Sequence, residues 1–168
     1  LLNAMEPGAL IKLDTVGLSL SGGRRVGQPG HDVAREYVHG RMKDIGLEPF
    51  AGDDLELPYR RDCPSTGHAL DFVNLAGIVT GKNRDLPPVL VGAHYDSAID
   101  APCSDDNAAA VAVTLAFAEA VRLHPFQRDV VIVLFDAEEP PFFQSDAMGS
   151  IRFCADHCRE VELAAGII

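Results

Sequence analysis

The chain has 168 residues, 47% of them hydrophobic and 23% charged, which is enough for one domain with a sizeable core. Fourteen lysines and arginines stand against 25 acidic residues, and the resulting net charge of −11 argues against DNA or RNA as a partner, because affinity there comes mainly from cationic contacts to phosphate. The apolar runs are too short to span a bilayer, and the composition excludes a disordered, collagen-like or coiled-coil chain.

Residues 1–7 (LLNAMEP) lack the basic-then-apolar pattern of a signal peptide and have no Met at position 1, so the sequence reads as starting inside a longer product. Residues 19–30 (SLSGGRRVGQPG) are a Gly-dense turn segment. The spacing of Val33, Ala34, Tyr37, Val38, Met42 and Ile45 predicts an amphipathic helix over 31–45, with Gly46 as its stop. An irregular polar stretch, 51–67, leads to strands at 72–80 (FVNLAGIVT) and 88–92. The turn at 81–85 would make these two an antiparallel hairpin. Residues 107–123 predict a helix that is apolar almost all round, hence buried against a sheet, with Asp105, Asp106 and Asn107 as cap candidates. The β-branched run 129–135 (DVVIVLF) predicts a central strand covered on both faces. A shorter helix follows over 148–157, and 163–168 (LAAGII) look like the start of another buried strand. Alternating strands and helices imply one α/β domain over 1–168, with a mixed, mostly parallel central sheet flanked by helices.

The four cysteines lack the paired spacing of a structural zinc site, and Cys154 and Cys158, four apart on a helix, are poorly placed for a disulfide. Buried, reduced thiols are expected. That state and the missing signal peptide suit a cytoplasmic protein without establishing the compartment.

Three polar clusters follow strands or open a helix: His94-Tyr95-Asp96, Asp105-Asp106 and Glu138-Glu139. Each has an ordinary explanation by itself, as a loop histidine, a helix cap or a solvated charge pair. In an open α/β sheet, however, ligands bind beyond the carboxyl ends of the strands. If the strands ending near Gly92 and Phe135 are parallel neighbours, all three clusters meet at one rim. Carboxylates and an imidazole crowded there would repel unless a cation neutralised them, and histidine plus carboxylates suits zinc. The chemistry that assembles is metal-assisted hydrolysis.

The ordered landmarks H-Y-D-S (94–97), S-D-D-N-A (104–108), A-E-E-P-P-F-F (137–143) and M-G-S (148–150), preceded by V-G-Q-P-G-H-D (26–32), resemble the family M28 zinc metallopeptidases. The resemblance implies a zinc-peptidase-like three-layer fold and roles residue by residue. His94 would ligate one metal, with Asp96 orienting it. Asp106 would bridge two zinc ions, Glu139 would ligate the second, and Glu138 would be the general base. The implied substrate is a peptide or small amide cleaved near a free N-terminus. The family has two further ligands, an Asp and a later His, that no residue here matches, so the sequence reads as the N-terminal part of a catalytic domain, inactive by itself. Two alternatives stay open: a single-zinc acyltransferase of the glutaminyl cyclase type, and a non-catalytic peptidase-like binding module. Oligomeric state is not legible.

Overall fold

The computed structural model describes residues 6–19, 22–158 and 163–167. In chain order the elements are α1 (Pro7–Ser19), α2 (Pro29–Ile45), β1 (Glu48–Pro49), β2 (Glu56–Asp62), β3 (Ala69–Val79), β4 (Val89–His94), α3 (Ala109–Leu123), β5 (Val130–Phe135), α4 (Gly149–His157) and β6 (Ala165–Ile167). They build a mixed α/β architecture around one sheet of order β1-β3-β5-β4-β6, with β2 on the same edge of β3 as β1.

All six residues of β5 are buried, as the unbroken β-branched run requires. Their side chains alternate with the two-residue period of a strand. Val130, Ile132 and Leu134 join a core under α2 and α3 that includes Val38, Met42, Val111 and Leu115. Val131, Val133 and Phe135 face the other way, with Ala76, Leu90 and Phe153 of α4. The most apolar strand thus has a helical layer on each side. No helix of the described residues is long and apolar enough to cross a membrane.

The expected antiparallel hairpin between the strands at 72–80 and 88–92 does not form. β5 lies between β3 and β4, antiparallel to the first and parallel to the second. Placing the most apolar strand there buries both of its edges, and the α3 crossover joins the parallel pair β4 and β5. The stretch 51–67 also proves less irregular than expected, since β2 pairs with β3 along seven residues. Its Pro58 and charged residues suit an edge strand and erase the alternation that would have revealed it. The cysteines are all free, but only Cys63 is buried, and Cys154 is exposed.

Helix α1, which the sequence did not suggest, lies against α3 and is held by buried charge. Asp14, completely buried, accepts hydrogen bonds from Arg41 Nε at 2.8 Å, Arg41 Nη2 at 3.2 Å and the Tyr37 hydroxyl at 2.7 Å. Arg41 also lies 3.6 Å from Glu119 of α3, so one guanidinium ties three helices. Removing a single partner from such a group leaves an uncompensated buried charge. Asp14→Ala should therefore destabilise the chain by about 3–5 kcal/mol in urea unfolding. A loss below about 1 kcal/mol would show that Glu119 alone satisfies Arg41.

Candidate metal centre

Parallel pairing of β4 with β5 runs in register to His94 opposite Phe135. The Tyr95 amide then donates to the Phe135 carbonyl at 2.9 Å, so the two chains leave the sheet side by side. Each exit carries a buried aspartate, Asp96 after β4 and Asp136 after β5. A buried carboxylate must collect donors, and these two organise the rim.

Asp96 Oδ1 lies 3.2 Å from His94 Nδ1 and accepts the Glu138 amide at 3.1 Å, while its Oδ2 accepts the Glu139 amide at 3.1 Å. Two consecutive amides can point back at one carboxylate because Ala137, just before them, takes a left-handed conformation with φ +52°. That conformation is costly for a residue with a Cβ, by about 1–2 kcal/mol, and is held here by the bonds to Asp96.

With Nδ1 facing Asp96, the other imidazole nitrogen looks outward. His94 Nε2 is 3.2 Å from Asp106 Oδ1 and 3.8 Å from Glu138 Oε2. His94, Glu138 and Glu139 each offer a donor atom within 4.8 Å of the others, a spacing that could hold a metal ion. The structure therefore brings all five residues singled out in the sequence, His94, Asp96, Asp106, Glu138 and Glu139, to one rim. Asp106 is the most exposed of them, at 73% of its side chain.

The helix that was expected to start at 107 instead begins at Ala109, and the turn Ser104–Ala108 before it is irregular, with Asp106 at φ −118° and ψ 91°. No side-chain cap bond closes α3, so Asp105, Asp106 and Asn107 are not caps. The Asp106 carboxylate is turned to His94 instead.

Electrostatics follow from the crowding. Burial pushes the Glu138 carboxyl above its usual range, and the charges of Asp96 and Asp106 add to this against the opposing pull of His94. Glu139 is raised as well, by burial and then by Asp106 and Asp96. Burial alone would lower the His94 imidazole, but its bond to Asp96 and the surrounding carboxylates outweigh that and raise it. The rim favours anything positive. Its donor set, an imidazole fixed at Nδ1 by a carboxylate and flanked by more carboxylates, fits zinc.

A second polar group lies behind the rim, built in part from residues of the V-G-Q-P-G-H-D and M-G-S landmarks to which the sequence assigns no role. His31 Nε2 lies 2.7 Å from Asp136 Oδ1, and its ring stacks on Tyr95 at 5.3 Å. Asp136 Oδ2 accepts the Val73 amide at 2.8 Å, the Asp136 amide donates to Asn74 Oδ1 at 2.9 Å, and Asn74 Nδ2 donates to the Gly149 carbonyl at 2.9 Å. Gly149 packs so closely that a Cβ there would stand 2.2 Å from the Asp136 carbonyl oxygen, which explains the glycine of the M-G-S landmark. Only the His31–Asp136 pairing across 105 residues reveals the network, and no local pattern encodes it.

A cleft of about 390 Å³ opens beside Glu139 and Asp96, walled by Val26, Leu70 and the Pro140-Pro141-Phe142 turn. Phe142 is also core, edge-on to Phe72 at 5.2 Å, so this turn both packs and shapes the cleft.

The sequence profile of peptidase family M28 matches residues 74–162, more than half of the chain. The chain belongs to this family. Among curated proteins it is 40% identical over 87 residues to the uncharacterized protein YfbL of Escherichia coli strain K12, covering 47% of this chain and 27% of YfbL. It is 33% identical over 91 residues to aminopeptidase YwaD of Bacillus subtilis strain 168, covering 54% of this chain and 19% of YwaD. The aligned stretches thus span only 27% and 19% of these relatives' own lengths. Solved structures share the fold at lower identity. A glutaminyl cyclase from an Acidobacteriales bacterium superposes with a TM-score of 0.75 at 19% identity, over 93% of this chain and 54% of that one. A Zn-dependent exopeptidase from Parabacteroides distasonis gives 0.70 at 18% identity, over 94% and 59%.

His31 supplies a pH test of the network behind the M28 rim. Burial would lower its pKa, but the hydrogen bond to Asp136 and the charges of Asp136, Asp96 and Asp32 leave it raised above 6.5. A raised folded value means that stability from this pair is fully present below the unfolded pKa and is lost as pH rises through the folded one. In the metal-free protein, the stability gap between wild type and His31→Gln should narrow as pH rises above about 6.5. A gap that widens over this range overturns the pairing.

Proposed function

We propose that this rim is the site of a binuclear zinc hydrolase acting on peptides or small amides, with His94, Asp106 and Glu139 as metal ligands and Asp106 shared between two ions. The observation that carries the reading is the convergence of His94 Nε2 with the Asp106 and Glu138 carboxylates at 3.2 and 3.8 Å, beside Glu139, on a rim where burial, and then Asp96 and Asp106, raise both glutamates. Bound zinc would supply Lewis acidity to polarise the scissile carbonyl.

The residues of the chain do the rest. Asp96 holds His94 at Nδ1, which leaves Nε2 as the ligating nitrogen, and positions the glutamates through their amides. Glu138, half-shielded and raised, takes a proton from the attacking water at its carboxylate and returns it to the departing amine. The cleft beside Glu139 would receive part of the substrate against its apolar walls.

The fold is common to exopeptidases and glutaminyl cyclases and does not choose between them. The 33% identity over 91 residues to an aminopeptidase favours hydrolysis. Two substitutions test the division of labour in the full-length protein. Glu138→Gln should reduce hydrolysis about 10²–10⁴-fold with zinc still bound, as expected for loss of a general base. Glu139→Gln should weaken zinc binding itself, by about 10-fold or more. Hydrolysis that survives Glu138→Gln, or zinc lost from Glu138→Gln while Glu139→Gln retains it, would reverse or remove the assignment.

A further inference from the structure

We infer that Arg24 is a positioning residue of the metal centre, whose buried guanidinium holds the turn carrying Asp106 over His94. The inference rests on the metal-site reading above.

Arg24 sits in the Gly-dense segment between α1 and α2 and is completely buried. Among the described residues, its guanidinium bonds only to main-chain carbonyls. Nε donates to Tyr95 O at 2.9 Å, Nη1 to Pro102 O at 2.8 Å and Leu18 O at 3.3 Å, and Nη2 to Cys103 O at 3.0 Å and Asp106 O at 3.4 Å. Its amide donates to Ser97 Oγ at 2.7 Å, and its carbonyl accepts the Ser97 amide at 3.2 Å. One side chain thus joins the residue between His94 and Asp96 to the whole approach of Asp106. Gly23 lets it in, since a Cβ at that position would stand 2.6 Å from the Asp100 Cα.

The Ser104–Ala108 turn needs such a clamp. It has no side-chain cap, contains two non-helical residues, and exposes the Asp106 carboxylate to water. A guanidinium presents donors in a fixed planar fork, so it can hold several carbonyls in one relative placement. An ammonium on a flexible stem cannot.

Charge and fork make opposite predictions. Arg24 is a positive charge near Asp96, Asp106 and Glu139. If it acted only through its field it would oppose a cation at the rim, and removing it would tighten zinc binding. If it acts as a clamp, removing it loosens Asp106 and weakens zinc binding. Lysine keeps the charge and loses the fork.

The test is a zinc titration of the full chain by calorimetry, at a temperature where circular dichroism shows each variant folded. Arg24→Lys and Arg24→Met should both bind zinc about 10–100-fold more weakly than wild type. Arg41→Lys, altered in the equally buried knot of α1, α2 and α3, should lower the thermal midpoint and leave zinc affinity within about twofold. Ser97→Ala loosens the same clamp without touching the guanidinium and keeps the test open if the Arg24 variants fail to fold; its affinity should fall about threefold or more. Unchanged or tighter binding by folded Arg24→Lys, or unchanged binding by Ser97→Ala, overturns the inference. Equal weakening by Arg41→Lys would reduce Arg24 to general stability and overturns it as well. A wild-type chain that binds no zinc overturns the metal reading itself, an outcome distinct from all of these.

Discussion

Burying a carboxylate costs several kcal/mol unless donors replace the water it loses. Asp96 is completely buried and collects three donors from two neighbouring strand ends: the imidazole of His94, the last residue of β4, and the amides of Glu138 and Glu139 after β5. This can be satisfied only if β4 and β5 end side by side and the chain reverses at Ala137. The solvation of one side chain therefore couples sheet register, the left-handed turn and the placement of both glutamates. Asp136 repeats the logic one strand over, with His31 and the Val73 amide as its donors.

The outward side of the rim is the consequence. Amides and imidazole nitrogens that serve Asp96 point inward, so the Glu138 and Glu139 carboxylates and His94 Nε2 are left facing Asp106 and the solvent. Burial first, and then repulsion from Asp96 and Asp106, raises both glutamates. A divalent cation relieves that repulsion, and the ligand types present are those zinc accepts. Family membership and the shared fold of zinc exopeptidases agree with the chemistry that the residues suggest on their own.

Three helices on one face of the sheet are joined to one another by buried charge. The Asp14–Arg41–Glu119 group locks α1 and α2 to α3, and α3 in turn carries the turn with Asp106 at its start. Arg24 links the same turn to the exit of β4. Two buried arginines thus do different work: one joins helices through carboxylates, the other joins loops through carbonyls.

The sequence by itself determined what depends on local pattern. The helices over 31–45 and 148–157, the central strand at 129–135, the mixed α/β class and the five polar residues were all legible, because burial periodicity and short motifs leave marks within a few residues of one another. Tertiary structure decided what depends on residues far apart in the chain. The strand order placed β5 inside the expected hairpin, since a fully apolar strand needs partners at both edges. The contact with His94 turned Asp106 away from a capping role. His31 met Asp136 across 105 residues, and Arg24 met carbonyls more than 70 residues away. A buried charge chooses its partners by what folding brings near it, and that choice is made in space, where no linear spacing records it.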